Sequence, residues 1–202
     1  MGFVKEFTTF LYKNDIIKFG NFTLTSGKNS SYYIDLRLVP SYPHQFRKMI
    51  KNLQNLIIEK TGLDNFDSLA SVPTGGLVVT SALAIETVKP LIYVRNKPKE
   101  HGTTKSIEGK ISSGMKVVMI DDVVTTGTSV LNGIKQLKEA GLSISDLYVI
   151  INRLEGADKV LGDIGVQIHQ LTDIVEITNV LFQEKLVSEE ILKKIKNQVN
   201  QN

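Results

Sequence analysis

At 202 residues, 42% hydrophobic and 22% charged, the chain has a globular composition and suits one domain, residues 1–202, able to bury about 70% of its unfolded surface without a disulfide or metal staple. Its net charge of +3 is too small to argue for nucleic acid, and the lack of cysteine excludes disulfides, thiolate nucleophiles and Cys-based zinc sites. No apolar run approaches the ~18 residues of a membrane span and "MGFVKEFTTF" has no signal-peptide core, so a cytoplasmic chain without membrane or nucleic-acid partners is expected.

In chain order, Phe3 to Lys13 reads as a helix and "YYIDLRLV" from Tyr32 as a strand with partial alternation. Ser41 and Pro43 are start signals for a helix carrying Phe46, Met49, Ile50, Leu53 and Ile57 that stops near Gly62. The rhythm then becomes strand Ser68 to Val72, helix Leu77 to Val88, strand Leu91 to Arg95, strand Lys116 to Asp121 and helix Ser129 to Ala140. Strand Leu147 to Asn152, helix Ala157 to Leu161, strand Val166 to His169 and two C-terminal helices complete it. Such alternation predicts an α/β fold, a mostly parallel central sheet flanked by helices.

In such a sheet, ligands bind where strand carboxyl ends meet helix N-termini. "KVVMIDDVVTTGTSV", Lys116 to Val130, puts Asp121 and Asp122 at that end, followed by Thr125, Thr126, Gly127, Thr128 and Ser129. Small hydroxyl residues around a glycine, leading into a helix, offer backbone N–H groups and hydroxyls to a phosphate. The two carboxylates repel that phosphate and want hydroxyls or a metal, so a sugar phosphate satisfies both halves. A lone acid pair at a strand end with an N-cap threonine would need no ligand; the whole pattern favours one.

That pattern resembles the phosphoribosyl-diphosphate (PRPP) motif of the type I phosphoribosyltransferases, and no G-x-x-x-x-G-K-[ST] of a nucleotide triphosphatase occurs in the chain. Three further stretches resemble the orotate phosphoribosyltransferases of that family: "FTLTSGKNSSYYIDLR" (Phe22 to Arg37), "VRNKPKEHG" (Val94 to Gly102) and "NRLEGA" (Asn152 to Ala157). The resemblance implies a small hood built by about residues 1–40, with the C-terminal helices contributing cover. It implies that Asp121 and Asp122 are catalytic and hold the ribose hydroxyls of PRPP, and that Val123, Val124 and Thr125 to Ser129 bind PRPP, with the 5′-phosphate cradled by Thr125 to Ser129. It also assigns Arg95, Lys99 and His101 to PRPP, Lys99 and His101 catalytically, on a loop closing over the neighbouring subunit's site in a homodimer. Orotate falls to Thr125 and Arg153, since a guanidinium fork matches a carboxylate bidentately. Mg²⁺ is carried mainly by PRPP, with no protein metal site.

Each stretch also has a plainer reading. "SVPTGGLV" puts Gly75 and Gly76 where backbone can approach a ligand closely, which the resemblance makes the diphosphate, or is a tight turn. The roughly twenty residues after Arg95 carry Lys97, Lys99, His101 and Lys105, a cationic lid or a solvated basic hairpin. Tyr32 and Tyr33 offer a flat face to a pyrimidine or are core. Arg153 meets orotate or pairs on the surface with Glu155. The family's lysines are replaced by Thr25 and Asn96, with Lys28 and Lys97 nearby, and its aspartate by Asn152. His44 and His169 read as incidental. The expected activity is transfer of phosphoribosyl from PRPP to orotate in pyrimidine biosynthesis, giving orotidine 5′-monophosphate and diphosphate. A transferase for another base would not require Arg153, and a PRPP-sensing regulator would show a concentrated basic patch.

Overall fold

The computed structural model describes residues 2–23, 27, 29–95 and 106–200. Helix α1 (Phe3–Lys13) buries Phe7 and Leu11, one turn apart, with Phe3 stacked on Phe7 at 5.1 Å. Strands β1 (Ile17–Thr23) and β2 (Asn29–Ile34) form a separate antiparallel hairpin, the expected hood. Its β1 half went unread in the sequence, although Ile17, Phe19 and the half-exposed Phe22 carry a strand pattern interrupted by a register shift between Phe19 and Phe22. The strand expected to continue past Ile34 instead turns into a 3₁₀ segment, Leu36–Ser41. Asp35 accepts the backbone N–H of Arg37, and Pro40 could not donate to a ladder.

Helix α2 (Pro43–Lys60) starts with proline in its first turn and buries Met49, Ile50, Leu53 and Ile57 along one stripe. Then come β3 (Ser68–Ser71), α3 (Gly75–Thr87), β4 (Leu91–Val94), β5 (Ile107–Glu108), β6 (Lys116–Val124), α4 (Thr128–Glu139), β7 (Ser143–Asn152), α5 (Ala157–Gly162), β8 (Gln167–Asp173), α6 (Ile174–Gln183) and α7 (Glu189–Asn200). They build a six-stranded sheet in the order β5-β4-β3-β6-β7-β8, parallel except for β5. Leu69, Val118, Ile120, Tyr148 and Ile150 join α1, α2, α3 and α6 in one core, and Ala70, Met119, Leu147 and Val149 join α4 and α5 in the other. Alternation along each strand feeds both layers, which is why these strands read as unbroken apolar runs. No described helix is long and apolar enough to cross a membrane.

Two boundaries matter. Strand β6 runs three residues past Asp121, because Val123 and Val124 pair with Ile151 and Asn152 of β7; the acids lie within the strand, not at its end. From the central β3 the chain adds β4 and β5 on one side, and β6, β7 and β8 on the other. The crevice between the carboxyl ends of β3 and β6 is the topological switch point where open α/β sheets take ligands. His169, read as incidental, sits elsewhere, 2.7 Å from Asp146 and stacked on Tyr148 at 4.5 Å.

Leu83 and Ile85 lie two residues apart on α3, one fully buried and the other 80% exposed. Leu83→Ala should lose about 2–5 kcal/mol of stability, whereas Ile85→Ala should stay within about 0.5 kcal/mol of wild type. Urea unfolding of the two variants checks this, with a shifted midpoint expected only for Leu83→Ala.

Candidate active site

The acid pair and the start of α3 are built into one another. A Cβ on Gly75 would collide with both carboxylate oxygens of Asp122, and one on Gly76 would lie 2.5 Å from Asp121 Oδ1 and 3.2 Å from the Ile120 carbonyl. Only glycine lets the helix begin directly over the acids, so Gly75 and Gly76 are more than a tight turn. The N–H of Asp122 donates to Asp121 Oδ1 at 3.0 Å. Burial pushes the Asp121 carboxyl well above the usual carboxylate range, and the neighbouring Asp122 charge adds to it. Burial also raises Asp122, opposed by its hydrogen bond with Asp121, by backbone N–H groups and by the charge of Arg37.

Arg37 reaches this site from the hood side. Its Nε and Nη2 hold the two oxygens of Asp35 at 2.6 and 2.8 Å, with the Tyr33 hydroxyl 3.5 Å from Nη2. The bonds from Arg37 keep the Asp35 carboxyl below its ordinary range. Arg37, Asp35, Thr74, Gly75 and Asp122 line a cavity of about 570 Å³ that also includes Tyr33, Val123, Thr125, Thr126, Arg153 and Glu155. The hood thus forms one wall and the switch point the other.

A second cavity, about 460 Å³, is lined by Asp121 and the run from Val123 through Ser129. Gly127, left-handed at φ 77°, is the N-cap of α4 and makes no side-chain cap, so first-turn N–H groups remain available to an anion. The Thr126 and Thr128 hydroxyls are 2.9 Å apart. Val124 is 2% exposed with its side chain in the core, so it can offer only backbone. Arg95 lies apart from both cavities, on a third that it shares with Ser129 and Asn132; its Nη1 is 3.0 Å from Glu108 Oε1. Lys99 and His101, with Thr25, Lys28, Asn96, Lys97 and Lys105, lie outside the described residues.

Arg153 does line the large cavity together with Asp122, but it is neither a free fork nor a surface pair. It is 5% exposed. Its Nε donates to Glu155 Oε1 at 2.8 Å and to the Tyr32 hydroxyl at 3.0 Å, its Nη2 to Ser30 Oγ at 3.1 Å, and its guanidinium lies 4.4 Å from the Tyr32 ring centre. Tyr32 is therefore core and Tyr33 the tyrosine facing the cavity. Burial raises the Tyr32 hydroxyl's pKa above its ordinary value. Arg37, Asp35, Thr74 and Glu155 were not assigned roles from the sequence; Glu155, two residues after Arg153 in a glycine-flanked loop, was the readable signal.

Residues 44–181 match the family described as the phosphoribosyl transferase domain. The orotate phosphoribosyltransferase of Cenarchaeum symbiosum is 47% identical over 195 residues, 96% of this chain and 98% of that one. The chain belongs to the orotate phosphoribosyltransferases. The crystal structure of the family member from Aeropyrum pernix is 31% identical, with a TM-score of 0.77 over 90% of this chain and 99% of that one. The structure of Leishmania donovani UMP synthase is 29% identical, with a TM-score of 0.85 over 100% of this chain and 43% of that longer protein. The expected phosphoribosyltransferase fold is thus found whole, with the PRPP-type stretch at its switch point.

The raised acids of this phosphoribosyltransferase site carry a linkage consequence. A carboxyl whose folded pKa exceeds its unfolded value favours folding below the unfolded pKa, and that contribution is lost as pH rises through the folded pKa. Above that range the free protein holds Asp121 ionised against burial. Asp121→Asn should therefore raise Tm at pH 8 by about 2 °C or more, and the gain should vanish near pH 3.5. Thermal unfolding across pH checks this; a gain that persists unchanged at low pH would assign it to something other than titration.

Proposed function

We propose that the chain transfers the phosphoribosyl group of PRPP to N1 of orotate, giving orotidine 5′-monophosphate and diphosphate in pyrimidine biosynthesis. The observation that carries this is one cavity lined by Asp122, the Gly75 helix start and buried Arg153. In this reading Asp121 and Asp122 accept the ribose hydroxyls, whose donation favours the ionised carboxylates that burial disfavours. Thr125 to Ser129 and the α4 N-terminus hold the 5′-phosphate, Gly75 and Gly76 bring α3's N–H groups to the diphosphate, and Arg153 with Thr125 orients orotate.

The bond from ribose C1 to the diphosphate oxygen breaks, its electron pair leaves with diphosphate, and N1 of orotate supplies the pair for the new C1–N1 bond as its N1–H proton passes to water or to the departing diphosphate. Positive charge builds on the ribose ring at the transition state, beside the two carboxylates. The chemistry needs no covalent nucleophile, only placement and charge. In this reading Mg²⁺ would be carried on PRPP oxygens and waters, and Asp121 and Asp122 are the carboxylates that could meet it through water. When bound, the ion offsets diphosphate charge. Arg95, Lys99 and His101 complete the diphosphate side, acting across the interface of a cytoplasmic homodimer.

Diphosphate release from PRPP and Mg²⁺ should appear with orotate and not with uracil, adenine, guanine or hypoxanthine; release with a purine alone would overturn the reading. Asp121→Asn/Asp122→Asn should fold yet lose about 100-fold or more in kcat/KM for PRPP.

For the subunit arrangement, inactive Lys99→Ala and Asp122→Asn chains are mixed and allowed to exchange. Activity should return, because a mixed dimer with lids in trans holds one site with both lesions and one with neither. Verified exchange without recovery would mean that each chain closes its own site.

A further inference from the structure

Arg153 is taken up along one edge before any ligand arrives. Glu155 Oε1 receives Nε at 2.8 Å, stands 2.8 Å from Nη2, and also accepts the Tyr32 hydroxyl at 3.1 Å. The Arg153 side chain is buried and that of Glu155 largely so, 6% and 11% exposed, and both line the large cavity. Ser30 adds a second acceptor for Nη2, and the Tyr32 ring lies against the guanidinium face. Nη1 enters none of these bonds.

The backbone is shaped to bring the pair together. Leu154, between the two, is left-handed at φ 57°, a conformation that branched residues avoid. Its N–H is held by Asn152 Oδ1 at 2.9 Å, Asn152 is itself fixed by Asp158 at 3.2 Å, and the Arg153 N–H is held by the Val124 carbonyl at 3.0 Å. An arginine buried without an acid would be strongly unfavourable, yet an acid placed to compete with substrate would defeat recognition. The bonds reconcile the two by giving Glu155 the Nε–Nη2 edge and leaving Nη1 as the amino group for a ligand in the cavity that Arg153 lines.

We infer that Glu155 is the positioning residue of the base site: it fixes the Nε–Nη2 edge of Arg153, so that a planar ring's carboxylate is received at Nη1 rather than by the whole fork. This deepens the proposed function and rests on it. The Arg153–Glu155 pair carries no net charge, so the site does not hold anions indiscriminately. It favours a single carboxylate lying in the plane of the ring, at the one amino group offered.

The test is a double-mutant cycle with orotate and PRPP varied in turn. Arg153→Ala should lower orotate kcat/KM about 30-fold or more while changing PRPP KM less than about twofold. Glu155→Ala should lower orotate kcat/KM about 10-fold or more, again sparing PRPP. Glu155→Gln, which keeps an acceptor in place, should recover most of that loss. In the Arg153→Ala background, Glu155→Ala should cost nothing further, a coupling that a general structural role would not produce. Equal losses in both backgrounds, no loss at all, or tighter orotate use by Glu155→Ala would overturn the inference. Should Glu155→Ala prove unfolded by thermal melting, the cycle is repeated with Glu155→Met, which fills a similar volume without an acceptor, and decides by the same coupling. Wild-type protein that releases diphosphate with another base and not with orotate would instead sink the functional reading, a result distinct from unchanged orotate kinetics in the variants.

Discussion

The fold turns on how closely the start of α3 sits on β6. Two glycines remove the side chains that would otherwise strike Asp121 and Asp122, and the helix N-terminus with its unpaired N–H groups is lowered onto the pair. One contact thereby sets several things at once: the height of the helix over the sheet, the depth of the crevice between β3 and β6, and the burial that raises both carboxyls. The free protein keeps two acids where ionising them is unfavourable, in a position where hydroxyl donors would relieve them. Strain of this electrostatic kind is what a site for a polyhydroxylated, charged substrate would store.

Around that contact the two cores divide the labour. The layer beneath α2 and α3 sets the helix start, while the layer beneath α4 and α5 sets the Thr125–Ser129 loop, where Gly127 packs against Ala157. The strands between them are apolar on both faces, so their carboxyl ends cannot shift independently.

What the sequence made legible follows from period and spacing. The central strands and amphipathic helices were readable because burial on both faces and helical stripes leave strong patterns; the acid pair and hydroxyl loop were readable because few other structures need that order of residues. The hood was harder. In β1 a register shift breaks the alternation, and past Ile34 a side-chain cap from Asp35 turned a strand-like run into a 3₁₀ segment. The end of β6 was misjudged because Asp121 and Asp122 look like terminators, whereas pairing with a longer β7 carries the strand past them. Glu155 and Arg37 were legible only in part: their pairs with Arg153 and Asp35 are two residues away in the chain, but the contact of Glu155 with Tyr32 and the reach of Arg37 toward Asp122 join distant segments, which no local pattern encodes.

Helix α7 gives the far end of the chain a stake in the site. Gln198 accepts the N–H of Ser31, and Lys194 donates to Asn21, so the helix grips both strands of the hood. Ser30 and Tyr32, flanking the gripped residue, are the hood's partners for Arg153. The hairpin therefore works as a lever with one arm on α7 and the other on the guanidinium. Sequence drift on the inward face of this distant helix is thereby coupled to the aim of a single arginine, and homologues that differ in it would differ in how that arginine is held without any change to the residues lining the cavity.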